Sequence, residues 1–291
     1  TTGVSEGCTG SGIEMVRALT EKPDAVILAH AHTNMLLRID DIPVVQVTSN
    51  GRALGVIDIP LSQKSAATAE VRDVSGDVSV DPVLDTIVRN AVDRVRARLE
   101  RPVATIAENL KRPGEIYPLG NLMADVARVM TNSDFGTWNN GGIRADVLAG
   151  PMNFGVAHEL SPFGNVLVQL KIRGKDLPGM FESIVRGRAP NSHISGLLLT
   201  YDSTLAPGKR ITSLTRSDGS ALDPNAIYTL GLNDYMIDDA NFMRPELVIT
   251  IEVLPIVDQD AIAEYFRRLA QPVQAPSEVR IRNVVTPPNH Q

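Results

Sequence analysis

Apolar residues recur at three- and four-residue steps through Leu84, Ile87, Val88, Ala91, Val92, Val95 and Leu99, the signature of one apolar helix face. Asp81 supplies a side-chain cap, Pro82 suits the first helical position, and Arg101-Pro102 closes the run, so the spacing predicts a helix over 82–100. A long helix between two compact regions often connects domains, and the patterns on its two sides differ. Before it, the chain predicts a short helix over 12–19 and strands over 25–29, 36–39, 44–48 and 53–60, with Asn50-Gly51 as a strong turn pair. Residues 62–81 are polar, rich in Ser, Ala and Asp, with room for one edge strand. After it, a helix over 119–131 turns Leu122, Met123, Val126, Val129 and Met130 inward. Strands follow over 166–172, 196–201, 210–214 and 228–232, with helices over 175–185 and 260–269. Asp218-Gly219 is expected to make a hairpin between two of those strands, and the tail 286–291, with two prolines, to fray. Helices mixed with mainly antiparallel strands make the class α+β. Three segments result: 1–65, a linker over 66–102 that carries the long helix, and 103–291.

The chain has 291 residues, enough for one large domain or two ordinary ones. With 43% hydrophobic and 21% charged residues, long disorder and fibrous repeats are excluded. No apolar run approaches the roughly 20 residues of a membrane-spanning helix. A net charge of −6 argues against non-specific nucleic-acid binding, while a local cluster of arginines could still hold a phosphate. The single cysteine, Cys8, excludes an internal disulfide framework and a thiolate-rich zinc site. Thr1 is followed by no basic-then-apolar leader, and the opening pattern reads as the middle of an α/β domain, so a fragment or processed product is expected.

Several short segments could carry chemistry. In Ala29-His30-Ala31-His32-Thr33, two histidines two apart follow a strand, where α/β folds place ligand-binding residues. They are either two imidazole ligands to a borderline metal or a pair of polar loop residues, and two ligands do not complete a four-ligand site. Trp138-Asn139-Asn140-Gly141-Gly142-Ile143-Arg144 predicts a tight turn that projects Arg144, whose planar fork suits phosphate or carboxylate, or simply solvent. Ser161-Pro162-Phe163-Gly164-Asn165 offers a ring to stack on a flat heterocycle and an amide for its edge, although Phe163 equally suits a core. Tyr235 is a second aromatic in a polar setting; Asp238, Asp239 and Asn241 offer acceptors for a sugar; Arg112 is a further cation.

Taken in order, these segments resemble the 5′-nucleotidase family of two-domain metallophosphatases, the group of bacterial UDP-sugar hydrolases and 2′,3′-cyclic-nucleotide phosphodiesterases. Residues 26–33 are similar to its strand and G-H-x-H segment, and 44–52 to the valine-rich strand with an S-x-G-R turn. Leu119-Gly120-Asn121-Leu122-Met123-Ala124-Asp125 is similar to L-G-N-L-x-x-D, residues 139–144 to N-x-G-G-I-R, 162–165 to P-F-x-N, and His193-Ile194-Ser195-Gly196-Leu197 to the V-S-G strand entry. The resemblance implies the tail of an α/β metallophosphatase domain over 1–65 and a mixed-sheet substrate-binding domain over 103–291. It implies metal-dependent hydrolysis of nucleotide phosphoesters, the substrate being a small-molecule nucleotide, with His30 and His32 ligating one of two divalent ions (Mn, Zn or Co). Arg144 and Arg112 would hold phosphate or carboxylate, Phe163 and Tyr235 sandwich the base, and Asn165 meet its edge. Asn139 would lie near the phosphate, Asn241 near the ribose, and Gly196 in the substrate site. The family's D-x-H and G-N-H-[ED] segments would precede Thr1, so the chain alone is expected to have little activity, with a non-catalytic nucleoside-binding module as the alternative. Ala29 replaces the usual glycine, and Asp239-Ala240-Asn241-Phe242 stands where the family has G-G-D-G. Export to the periplasm or the cell exterior follows from the resemblance alone.

Overall fold

The computed structural model describes all residues except 1, 5–9, 62–65, 115, 188 and 285–291, with residues 2–4 described by backbone alone. Cys8 and the tail 286–291 lie outside the described residues. The chain divides into two compact units, Thr1–Arg89 and Asn90–Gln291.

The first unit contains β1 (Thr2–Val4), α1 (Ser11–Ala18), β2 (Val26–Ile27), β3 (Met35–Ile39), β4 (Ile42–Gln46), β5 (Ala53–Asp58) and β6 (Thr68–Asp73). Among the described residues, four strands form a sheet in the order β1-β3-β4-β2, antiparallel only between β3 and β4. Ile13 and Val16 of α1 pack on Leu37, Ile39 and Val44. The edge strand expected within 62–81 is β6, paired with β5. The long helix α2 (Pro82–Leu99) begins as expected: Asp81 Oδ1 accepts from the amides of Val83 (2.8 Å) and Leu84 (3.1 Å). The boundary between units falls within it. Its apolar stripe is not buried; Leu84 is 61% and Ile87 60% exposed.

The second unit adds β7 (Pro102–Ile106), α3 (Pro118–Met130), β8 (Phe135–Asn139), β9 (Gly150–Asn153), α4 (Phe154–Leu160), β10 (Val166–Arg173), α5 (Leu177–Phe181), β11 (Ser192–Ser195), β12 (Leu197–Tyr201), β13 (Ile211–Arg216), β14 (Ile227–Asn233), α6 (Tyr235–Asp238), β15 (Val248–Val257), α7 (Asp258–Arg268) and β16 (Ile281–Asn283). A five-stranded sheet in the order β11-β8-β14-β10-β15 is antiparallel except between β8 and β14. Two cores form around it: one gathers Trp138 with side chains of α3, α4 and α7, the other Phe135, β10 and β14 with α5 and β12. The α+β class holds. Asp218-Gly219 does turn, with the Gly219 amide donating to Arg216 O (2.9 Å), but β13 and β14 belong to different sheets and the expected hairpin between them does not form. Val129, expected inside, is exposed at the end of α3. No helix among the described residues is long and apolar enough to cross a membrane.

Candidate functional site

Register brings five strand ends to one end of the central sheet. Because β8 and β14 run parallel, Asn139 and Asn233 finish side by side, and Asn233 Nδ2 donates to Asn139 Oδ1 at 3.2 Å. β10 is antiparallel to β14, with Leu167 opposite Asn233, so the segment that precedes it, carrying Phe163 and Asn165, reaches the same end. The Asp234 amide donates to Val166 O (2.9 Å), and Tyr235 opens α6 directly afterwards. β11 starts opposite Asn139, where the Asn140 amide donates to Asn191 O (2.9 Å). β15 ends there too, the Asp258 amide donating to Asn165 O (2.8 Å).

The two-asparagine, two-glycine segment is a 3₁₀ turn over Asn140–Gly142. It lies so close to the sheet that a Cβ at Gly142 would fall 2.8 Å from both Asn139 Oδ1 and Trp138 Nε1, so only glycine fits. Ile143 then buries, and Arg144 turns outward with its amide held by Leu160 O at 2.9 Å. Its guanidinium carbon stands 5.3 Å from the Phe163 ring centroid, a cation–π distance. Among the described residues no carboxylate pairs with Arg144, which leaves its donor fork for an anion. Arg112 is anchored alongside: Nη1 donates to Ile143 O (2.8 Å), and Nε to Asp146 Oδ1 (3.0 Å), which neutralises part of its charge. Phe163 is 48% and Tyr235 55% exposed, against the normal tendency of large rings to bury. Two solvated rings and a free guanidinium on adjacent strand ends can grip a flat, anionic molecule.

Arg112, Asn139, Arg144, Phe163, Asn165 and Tyr235 therefore share one sheet end. Gly196 does not join them. Ser195 pairs with Gly136, so Gly196 follows at the opposite end of β8, where it lines a cavity of about 640 Å³ with Arg128, Arg216 and Arg280. Pro190 and Asn191, rather than Gly196, border the turn: Asn140 Nδ2 donates to Pro190 O at 3.4 Å. Asn241 lies in the turn after α6, its backbone and side-chain oxygens accepting from Arg186 (3.2 and 3.4 Å). His30 and His32 belong to the first unit, both exposed and both at positive φ (78° and 52°). Among the described residues no three or more His, Cys, Asp or Glu are placed to hold a metal ion. Two imidazoles supply only part of the donor set that a dinuclear centre needs.

Sequence reasoning passed over the residues that pin the Phe163 segment. Asp258 is wholly buried; its Oδ2 accepts from Ser161 Oγ (2.8 Å) and its Oδ1 from the Gln259 amide (2.8 Å). Burial pushes this carboxyl above its ordinary pKa against the pull of those bonds, and the charge of Asp234 adds to the rise. Gln259 Nε2 donates to Ser161 O at 2.8 Å. An acidic residue at a helix start carries no signal for a partner 97 positions away.

An α+β unit with exposed arginine and aromatic side chains at the ends of a mixed sheet is the class that geometry defines. Residues 95–243 match the family model described as 5′-nucleotidase, C-terminal domain, and the chain belongs to the 5′-nucleotidase family. It is similar to Endonuclease YhcR of Bacillus subtilis, 29% identical over 94% of this chain and 23% of that protein. Cell wall protein Lmo0130 of Listeria monocytogenes is 24% identical over 86% of this chain and 37% of its own length. The chain thus spans less than two fifths of the length of either of these relatives. Among solved structures, a 5′-nucleotidase precursor from Thermus thermophilus shares the fold, with a TM-score of 0.69 and 21% identity over 91% of this chain and 58% of that one.

Proposed function

We propose that the second unit binds a phosphorylated nucleoside, and that the protein to which it belongs hydrolyses nucleotide phosphoesters in the manner of a 5′-nucleotidase. The observation that carries this reading is the Arg144 guanidinium 5.3 Å from the half-exposed Phe163 ring, at the sheet end that also bears Tyr235 and Asn139. In this reading Arg144, aided by Arg112, holds the phosphate, Phe163 and Tyr235 flank the base, and Asn165 meets its edge. Residues 103–291 are then the substrate-binding domain, 66–102 a linker, and 1–65 the end of a metallophosphatase domain. His30 and His32 would contribute two imidazole ligands to a divalent-metal site (Mn, Zn or Co) whose remaining donors are not in this set. When bound, such ions supply a nucleophilic water and stabilise the departing oxygen. Release outside the cytoplasm is part of the proposal, supported by the cell-wall designation of one relative.

Titration with AMP tests the grip. Measurable binding is expected, and Phe163→Ala should weaken it by about 1–3 kcal/mol, the worth of one stacked base. Equal affinity in the variant rejects the stacking role. Phosphate release from AMP, UDP-sugars and cyclic nucleotides with Mn²⁺, Zn²⁺ or Co²⁺ separates hydrolysis from binding alone. The non-catalytic reading is motivated by Asp239-Ala240-Asn241-Phe242 standing where the family has G-G-D-G, and nucleotide binding by the whole protein without turnover under any of the three ions would establish it.

A further inference from the structure

The segment 161–165 has no regular structure, yet it is tied at both ends to one place. At its start, Ser161 gives its hydroxyl to Asp258 Oδ2 and its carbonyl receives Gln259 Nε2, each at 2.8 Å. At its end, Asn165 O accepts the Asp258 amide at 2.8 Å. Ser161, Asp258 and Gln259 are all buried, while Pro162, Phe163 and Gly164 between the ties are exposed. The tied ends of the segment fix where the half-exposed Phe163 ring stands, with the Arg144 guanidinium 5.3 Å from its centroid. Residues 258–259 are the buried junction of β15 and α7.

We propose that Asp258, with Gln259, is the positioning residue that presents the Phe163 ring and the Asn165 amide to the base of a bound nucleotide. This rests on the nucleotide reading of the site and deepens it: base recognition is set directly by a buried latch, whereas Arg144 has its backbone fixed through Leu160 O and meets the latch only through its guanidinium, 5.3 Å from the Phe163 ring, so phosphate recognition depends on it less. A side chain that merely supports the fold would affect both parts of the ligand alike.

The probes are AMP, which has a base to stack, and ribose 5-phosphate, which has none. Asp258→Ala should weaken AMP about tenfold, within the value of one stack, and ribose 5-phosphate by no more than about twofold. Asp258→Asn should restore AMP affinity to within about twofold, because its carboxamide oxygen still accepts from the Gln259 amide and the Ser161 hydroxyl can turn to accept its NH₂. Gln259→Leu removes one tie without emptying a buried charge site, and serves should Asp258→Ala not fold; it should weaken AMP more than ribose 5-phosphate. Equal weakening of both ligands, or no change in either, overturns the proposal. If the wild-type protein binds neither ligand, the nucleotide reading fails instead. The latch is then judged by hydrogen exchange: the amide of residue 258, which donates to Asn165 O, should exchange at least about tenfold faster in Asp258→Ala and in Gln259→Leu, and an unchanged rate refutes it.

Discussion

His193 is buried with nothing to hold its nitrogens, and that makes the second unit acid-sensitive in a calculable way. The ring lies at 0% exposure in β11, edge-on to Tyr117 with centroids 4.5 Å apart. Across from it, Gly120 of α3 is packed so closely that a Cβ there would fall 2.0 Å from Nε2. Neither Nδ1 nor Nε2 has a hydrogen-bond partner among the described residues. Burial, helped by the charge of Arg280, lowers the imidazole pKa from 6.5 to about 3. Between those values the unfolded chain binds a proton that the folded one refuses. Stability is therefore full above about pH 6.5 and falls as the pH drops toward 3, at about 1.4 kcal/mol per pH unit. His193→Leu keeps roughly the volume, removes two unpartnered polar atoms and abolishes the titration, so it should be near neutral or stabilising at pH 7. From pH 6 to pH 4 the wild type should lose about 2.5 kcal/mol more than the variant. Urea unfolding reads this through Trp138, the chain's one tryptophan, buried in the same unit. If the difference between the two proteins stays flat from pH 7 to pH 4, the imidazole is not buried neutral and the reasoning is wrong.

Other expectations are independent of that residue. Arg144→Lys keeps the charge but loses the planar fork over Phe163, and AMP affinity should fall by about 1–2 kcal/mol in calorimetry. Gly142→Ala forces a methyl into the 2.8 Å gap between Asn139 Oδ1 and Trp138 Nε1; a loss of about 1–3 kcal/mol should appear as a lowered thermal midpoint. Arg280→Met strands Asp125, which Arg280 grips through Nη1 at 2.7 Å and Nη2 at 2.9 Å, and should cost about 3–5 kcal/mol in denaturant melts. Ile87→Ser on the exposed stripe of α2 should move stability of the isolated chain by no more than about 0.5 kcal/mol.

The legibility of the fold followed the range over which each signal acts. The start of α2 is local, and Asp81 caps it as its sequence says. Whether its stripe is buried is not local: period 3.6 states which face is apolar and says nothing about what lies against it. β15, the longest of the described strands, alternates Ile249, Ile251 and Val253 with Thr250 and Glu252, yet at the sheet edge all three apolar side chains stay exposed, so its alternation does not report a buried face. β8 escapes for the opposite reason, being buried on nearly every residue and only five long. Both candidate segments, 138–144 and 161–165, are visible as turns with unusual side chains, but their common location depends on strand pairings and side-chain ties between residues up to 98 positions apart.

That dependence also separates the residues that identify the family from those that gather at the candidate site. In the segment 119–125, Gly120 admits the His193 ring, Asn121 Nδ2 donates to Glu278 O at 3.1 Å, and Asp125 receives both Arg280 and the Ser195 hydroxyl. All three bind α3 to β11 and to the segment before β16, and none faces the strand ends where Arg144 and Phe163 meet. Ser195 and Gly196 fall on the same side of this division, since Ser195 joins the Asp125 and Arg128 network while Gly196 borders the cavity beside it. A motif that recurs in order along a chain is thus evidence for the fold first. It becomes evidence for a site only where register carries it to the end of the sheet that the other candidates share, which it does for residues 139–144 and 162–165 and does not for residue 196.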